Sequence, residues 1–501
     1  MTTLPSEAEI VVVGAGSAGC ALAGRLAAAG RDVLLLEAGP DYGAYGGGGW
    51  PVELLDPRVI PGSHQWGYTS AAKHGKPDLP LQRARVLGGC SAHNGMAAVW
   101  GVRDDYDAWE RAGNRGWGTE ALLPFFRAAH EKLRVYTPAR DEMGAFHEAY
   151  LDAAPGAGLD VIDDINDLDG PPGVAIPPVN APGGVRWNAA FGYLDALRDG
   201  GSLRIAGDAP AARVLVEGGR ATGVVCLIDG REVTVRANEV VVSGGSYESP
   251  AILQRSGIGP AAVLAAAGVQ ARHELPGVGE NLHDHPAYDI FYTGTPALYE
   301  KLAKFAEGKV LREEGVVAKL RVVDPTGIDL HIYPVANPGF YGTEPVVVVS
   351  IATMGPRSRG SVRVASADPA ASPVIDHAYL TDPEDYDLRV LLAGFEVARA
   401  IAGSAPLASV IGQETATAGL TGDALADHIR HNSSHYYHPA GSCKMGPASD
   451  PMAVVDSEGR VHGIAGLRVA DASIMPVVPR ANTNIPAVVV GERIAAGMLR
   501  Q

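Results

Sequence analysis

The chain has 501 residues, of which 46% are hydrophobic and 20% charged, a composition expected of a soluble globular protein with room for more than one domain. Its 63 glycines and 36 prolines follow no period, which excludes collagen-like and low-complexity chains. A formal net charge of −16 repels nucleic acid and anionic lipid, so neither is an expected partner.

The N-terminal segment Met1 to Glu7 has no basic stretch followed by a cleavable apolar run, so no secretory signal is read there. No run of about 20 apolar residues occurs, so no membrane span is expected. Cys20, Cys90, Cys226 and Cys443 form no C-x-x-C pair. A reduced, cytoplasmic setting without a metal site is the simplest expectation.

Ile10 to Val13 is a short apolar run of the kind that forms a buried parallel strand. Gly14-Ala15-Gly16-Ser17-Ala18-Gly19 follows at once, and Cys20 to Ala29 reads as a helix closed by Gly30. Asp32 to Leu36 is a second strand, ending in Glu37. This spacing is a dinucleotide grip. Gly14 permits the tight turn, and Gly16 lets backbone amides approach a pyrophosphate. Gly19 lets helix and strand pack closely, and Glu37 accepts the ribose hydroxyls. The fingerprint does not separate NAD from FAD, but Glu37 would repel a 2′-phosphate, which argues against NADP.

Two further glycine-rich segments come next in the chain. Ala84-Arg85-Val86-Leu87-Gly88-Gly89-Cys90-Ser91-Ala92-His93-Asn94-Gly95-Met96 is the first, and Gly245-Ser246-Tyr247-Glu248-Ser249-Pro250 to Gly259 is the second. Val346 to Ile351 and Gly360 to Val364 read as strands, and Asp385 to Ala402 as an amphipathic helix. The C-terminal part holds Ser434-His435-Tyr436-Tyr437-His438-Pro439, then Gly466 to Ser473, then Ala481-Asn482-Thr483-Asn484-Ile485-Pro486. A histidine has the pKa needed to take a proton from an alcohol near neutral pH.

Taken together, these segments resemble the glucose–methanol–choline oxidoreductases, FAD-dependent flavoproteins that oxidise alcohols. The resemblance runs from Ile10 to about Ala496 and departs from the family pattern at Cys90 and His93. It implies an α/β fold: a discontinuous Rossmann-like FAD-binding domain (1–154, 200–285 and 435–501) and an α+β substrate domain on a mainly antiparallel sheet (155–199 and 286–434). It implies His438 as base and Asn482 as its partner, although Asn482 could instead cap the terminal helix. His435 is expected to point elsewhere, and His428 and His431 to lie on a polar helix surface.

Cofactor contacts are expected at Gly14, Gly16, Ser17, Ala18, Gly19, Glu37 and Ala38, then at Arg85, Gly88, Gly89, His93, Asn94 and Gly95. Val214, Asp471, Ala472, Asn484 and Ile485 complete that set. A histidine at position 93 carries the flavin covalently in some members; the alternative is a hydrogen bond beside a non-covalent flavin. The substrate pocket is expected to draw on Tyr436, Tyr437 and Trp66. Choline is disfavoured, because Ala287 stands where choline oxidase has a glutamate after His-Pro, and Gly95 where it has a serine. The expected activity is oxidation of a primary alcohol or sugar hydroxyl with oxygen as acceptor. A dehydrogenase using another acceptor, and a lyase on the same scaffold, are the alternatives.

Overall fold

The computed structural model describes residues 4–337 and 344–500, so residues 1–3 of the N-terminal segment and residue 501 lie outside it. The strand Glu7–Val13 is central in the first sheet, with Val33–Leu36 and then Leu203–Ala206 parallel to it on one side. On the other side runs the long strand Arg231–Val242, also parallel. Its first half pairs with an antiparallel meander, Arg220–Ile228 and Ala211–Glu217. Its last residues pair in parallel with Leu467–Val469. The valine and leucine runs of the two N-terminal strands are buried on both faces, as a covered parallel sheet requires.

The helix Ser17–Ala28 starts directly from the glycine turn and packs against the terminal helix Asn484–Met498. Ser17 Oγ donates to Asn484 Oδ1 at 2.7 Å, tying the two ends of the chain together at the mouth of the nucleotide cleft.

The second sheet is antiparallel throughout. Its order is Ile411–Glu414, Pro286–Gly294, Val348–Thr353, Leu330–Val335, Val317–Leu320 and Gly173–Ala175. The helix Tyr386–Ala402 covers one face, sending Leu391, Phe395 and Ala398 into a core separate from that of the first sheet.

Two elements differ from the sequence reading. The strand Ser361–Arg363 is not in the antiparallel sheet: it pairs with Val374–Asp376 and packs on the helix Gly245–Arg255, where Gln254 Nε2 donates to Val362 O. The two cores also cross the expected boundaries. Phe146, Tyr150 and Leu151 of the helix Ala145–Ala153 lie in the second core, and Ala189, Phe191 and Tyr193 lie in the first. In both cases apolar packing, not chain position, assigns the segment.

The short strand Ser434–His435 pairs with the start of Pro286–Gly294, with Pro286 opposite His435. Further along, His283 pairs with Ala440. Between these anchors the C-terminal side is two residues longer, and the surplus bulges out at Tyr437, whose φ is +64°. Such backbone costs about 1–2 kcal/mol for a side chain with a Cβ, and bulges of this kind re-aim side chains at functional sites. Arg83 Nη2 holds the Tyr437 carbonyl at 2.8 Å, and Asp284 Oδ1 accepts the His438 N–H at 2.8 Å.

Candidate active site

One cavity of about 600 Å³ is lined by the first sheet and by loops flanking the second, from Gly14, Glu37 and Ala38 to His438, Asn482 and Glu314. At the nucleotide end, Gly14 adopts φ +101°, and a Cβ there would stand 2.4 Å from Ser243 O. A Cβ on Gly19 would stand 1.9 Å from Gly14 O, so the third glycine allows the helix to start against the turn. A Cβ on Gly16 would meet no protein atom within 4 Å, so it would enter the space of the cleft. Glu37 is buried, and its oxygens accept the amides of Ala15 (3.0 Å) and Gly39 (2.9 Å). Burial raises its carboxyl to about 7, while the two amides oppose that shift.

The second glycine segment lies directly against the first: a Cβ on Gly89 would be 2.6 Å from Gly16 Cα, and Gly88 N donates to Ala15 O at 2.8 Å. His93 is buried and lines the cavity. Its Nδ1 contacts Gln65 Nε2 at 3.3 Å, and its Nε2 has no partner. Burial, then the nearby Arg186, lowers it to about 4, so the ring is neutral.

Ser17, Ala18, Arg85, Asn94, Gly95, Asp471, Ala472 and Asn484 also line the cavity. Asp471 caps the turn Ala472–Ile474 through Ser473 N at 2.7 Å and accepts Gly245 N at 2.9 Å. Gly19, Gly88, Val214 and Ile485 are not on the lining. Gly19 and Gly88 act one layer behind it. Ile485 is fully buried in the first core. The Val214 amide is already bonded to Ser256 Oγ at 2.8 Å, and the wall there is built by Ala209, Pro210, Ala211 and Leu227.

At the other end, His438 and His285 meet through their Nδ1 atoms at 3.0 Å. Both are buried, and burial holds both well below the ordinary histidine value. Since Nδ1 is occupied, Nε2 is the nitrogen His438 has for a bound molecule. The Tyr436 ring lies on His438 (centroids 4.4 Å apart) and stacks on Tyr333 at 4.8 Å. Tyr437 lines the cavity and meets His435 edge-on at 4.2 Å.

His435 turns away, bonding Pro80 O at 2.9 Å. On the helix Gly422–Asn432, His428 bonds the Tyr288 hydroxyl at 2.8 Å, and His431 bonds Gly75 O at 3.0 Å. Trp66 lines the cavity, but its contacts belong to the nucleotide half. It stacks on Tyr68, which bonds Glu248, and Arg85 lies over its ring while bonding Ala38 O.

Asn482 does not cap the terminal helix, whose N-cap is Thr483. Its Nδ2 lies 2.9 and 3.1 Å from the two oxygens of Glu314. Its Oδ1 is buried without a partner. Glu314, Glu313 and His285 were not singled out from the sequence as site residues. The sole local signal was an acid pair, Glu313-Glu314, set before the apolar run Val316-Val317-Ala318. Burial, then the charge of the adjacent Glu313, raises Glu314 to about 8. Burial and Asp289 raise Glu313 to about 7, with Arg186 opposing. A Cβ on Gly95 would lie 2.6 Å from Glu313 Oε2, so the absent side chain at position 95 makes room for this carboxyl.

The residues suit FAD. A glycine cradle adjoins a buried acid for the ribose, and His93, with a ring nitrogen that has no partner, lines the same cavity.

Residues 8–287 and 356–491 match the GMC oxidoreductase family. The chain is 34% identical over 539 residues to an oxygen-dependent choline dehydrogenase of Pseudomonas syringae pv. syringae (strain B728a), covering 98% of this chain and 94% of that one. It is 33% identical to the choline oxidase of Arthrobacter globiformis, with 98% and 94% covered. Among solved structures, pyridoxine 4-oxidase from Mesorbium loti superposes with a TM-score of 0.88 at 28% identity, covering 99% of this chain and all of that one. A formate oxidase shares the fold, with a TM-score of 0.87 at 22% identity and 99% and 98% covered. This chain belongs to the GMC oxidoreductases, FAD-dependent enzymes that act on the CH–OH group of their donors.

Proposed function

We propose that this enzyme oxidises a primary alcohol or a sugar hydroxyl to the carbonyl, with His438 as general base, Asn482 beside the reacting oxygen, and oxygen as electron acceptor. The observation that carries the reading is the imidazole pair, which occupies His438 Nδ1 and leaves Nε2 for the substrate. His438 takes the hydroxyl proton at Nε2, and the Asn482 carboxamide and the new imidazolium stabilise alkoxide character. Bound FAD supplies the hydride acceptor. His93 is proposed to carry the flavin covalently, supported by its unpartnered Nε2. A cytoplasmic location belongs to the same reading, supported by four free cysteines.

Anaerobic addition of alcohols tests the activity. Bleaching of the flavin absorbance supports it; aldehyde release without bleaching would mean lyase chemistry instead. Peroxide formation in air tests the acceptor.

A cationic alcohol is the second reading. Ala287 supplies no carboxylate, but Glu313 brings an acidic group to the cavity from another element, and two of the relatives above are named for choline. Choline and its uncharged carbon isostere, compared as substrates, separate the two readings.

A further inference from the structure

Alkoxide stabilisation needs a hydrogen-bond donor aimed at the substrate oxygen. In the structure the Asn482 carboxamide gives its donor end to Glu314 and leaves its acceptor, Oδ1, buried and unpaired. The Tyr436 hydroxyl lies beside them, with Glu314 and Asn482 as its polar neighbours. An unsatisfied buried carbonyl oxygen costs about 1–3 kcal/mol. A carboxamide has nearly the same shape at both ends, so a half-turn exchanges donor and acceptor without changing the space it fills. The partner at 314 therefore selects the orientation. A carboxylate can only accept, and it takes the N–H₂. A protonated carboxyl still accepts through its carbonyl oxygen, but it alone can also donate, so only this form can pair Oδ1.

We propose that Glu314 is a positioning residue that sets which end of Asn482 meets the substrate. The protonated carboxyl donates to Asn482 Oδ1, satisfies that orphan, and turns the N–H₂ toward the alcohol oxygen. The carboxylate claims the N–H₂ and presents an acceptor, which cannot stabilise an alkoxide. The proton stays on Glu314 throughout turnover. This rests on Asn482 acting on the substrate oxygen, as proposed above.

The surroundings favour the proton. Glu314 is 6% exposed and faces Glu313, Tyr333, Tyr436 and Asn482. Glu313 in turn faces Asp289 and Arg186. Burial and the neighbouring acid hold Glu314 near 8, so at neutral pH the carboxyl is mainly protonated, and raising the pH removes the proton.

The test is the variant Glu314→Gln, whose amide N–H can donate to Oδ1 at any pH. In the wild-type holoenzyme, kcat is expected to fall about tenfold per pH unit above the Glu314 pKa. In Glu314→Gln, kcat stays within a few-fold of wild type at neutral pH and this alkaline fall disappears. Infrared difference spectra of the wild type, compared with the variant, show a protonated-carboxyl band at neutral pH that vanishes in alkaline buffer. An alkaline fall unchanged in Glu314→Gln, or no such band, overturns the proposal. Asn482→Ala separates it from the reading beneath: near-normal turnover there removes Asn482 itself. A loss of about 100-fold in Asn482→Ala, with wild-type pH behaviour in Glu314→Gln, keeps Asn482 and removes Glu314.

Discussion

His285 and His438, 153 residues apart in the chain, are joined Nδ1 to Nδ1 across 3.0 Å. One ring must donate and the other accept. When His438 is the donor, its Nε2 carries the free lone pair that a general base needs. His285 then sets the tautomer of the base.

His438→Ala is expected to lose about 10²–10⁴-fold in kcat, the usual worth of a positioned base. His285→Phe should cost less, about tenfold, since it removes only the tautomer control. Steady-state rates normalised to flavin content check both. Near-normal turnover in His438→Ala would remove that residue from the role.

The pH dependence on the acid side follows from burial. Desolvation, then the positive charge of Arg83 and the neighbouring imidazoles of His331 and His435, depresses the His438 pKa well below its ordinary value. A base with a lowered pKa stays unprotonated as the pH falls through about 6.5, the usual histidine value. The kcat/KM profile should therefore show no acid limb there. An acid limb at the ordinary histidine pKa would contradict the buried pair.

Gly16 and Gly19 should separate flavin binding from folding. Gly19→Ala places a methyl 1.9 Å from Gly14 O, forcing the turn to move. A loss of about 1–3 kcal/mol of stability, seen in the melting of the apoprotein, is expected. Gly16→Ala meets no protein atom within 4 Å. Its apoprotein should melt as wild type while flavin content falls, because the methyl occupies the cleft.

His93 decides how the flavin is held. Acid precipitation should leave the yellow colour with the wild-type protein and release it from His93→Ala. Colour released from the wild type would mean that the orphaned Nε2 only faces a dissociable cofactor.

Gly95→Ser tests the carboxyl behind the loop. The new side chain would start 2.6 Å from Glu313 Oε2 and push that group aside. If a cation is recognised there, KM for a cationic alcohol rises while KM for its neutral isostere does not. Equal changes in both would tie Gly95 to the flavin alone.

Much of the molecule was legible in one dimension because the signals were local. The strand, turn and helix of the nucleotide grip occupy consecutive residues, and each glycine acts on backbone within a few positions or on the adjacent strand. The helix from Tyr386 matched its periodicity to within one residue of the expected start. The segment Gly360 to Val364 carried a strand pattern but no information about its partner, and it left the expected sheet because Leu282 and Gln254 offered it another edge. Val214 was expected among the cofactor contacts, yet its amide is bonded to Ser256, 42 residues away.

By itself, then, the order of residues determined the nucleotide fold, the family and the two C-terminal candidates, since these depend on spacing along the backbone. The tertiary structure alone decided that His285 backs His438 and that Glu314 grips Asn482. Each of these pairs is brought together by folding, across strands and loops more than 150 residues apart. The same burial sets their protonation, because the cost of a charge depends on what surrounds it in space and not on its neighbours in the chain.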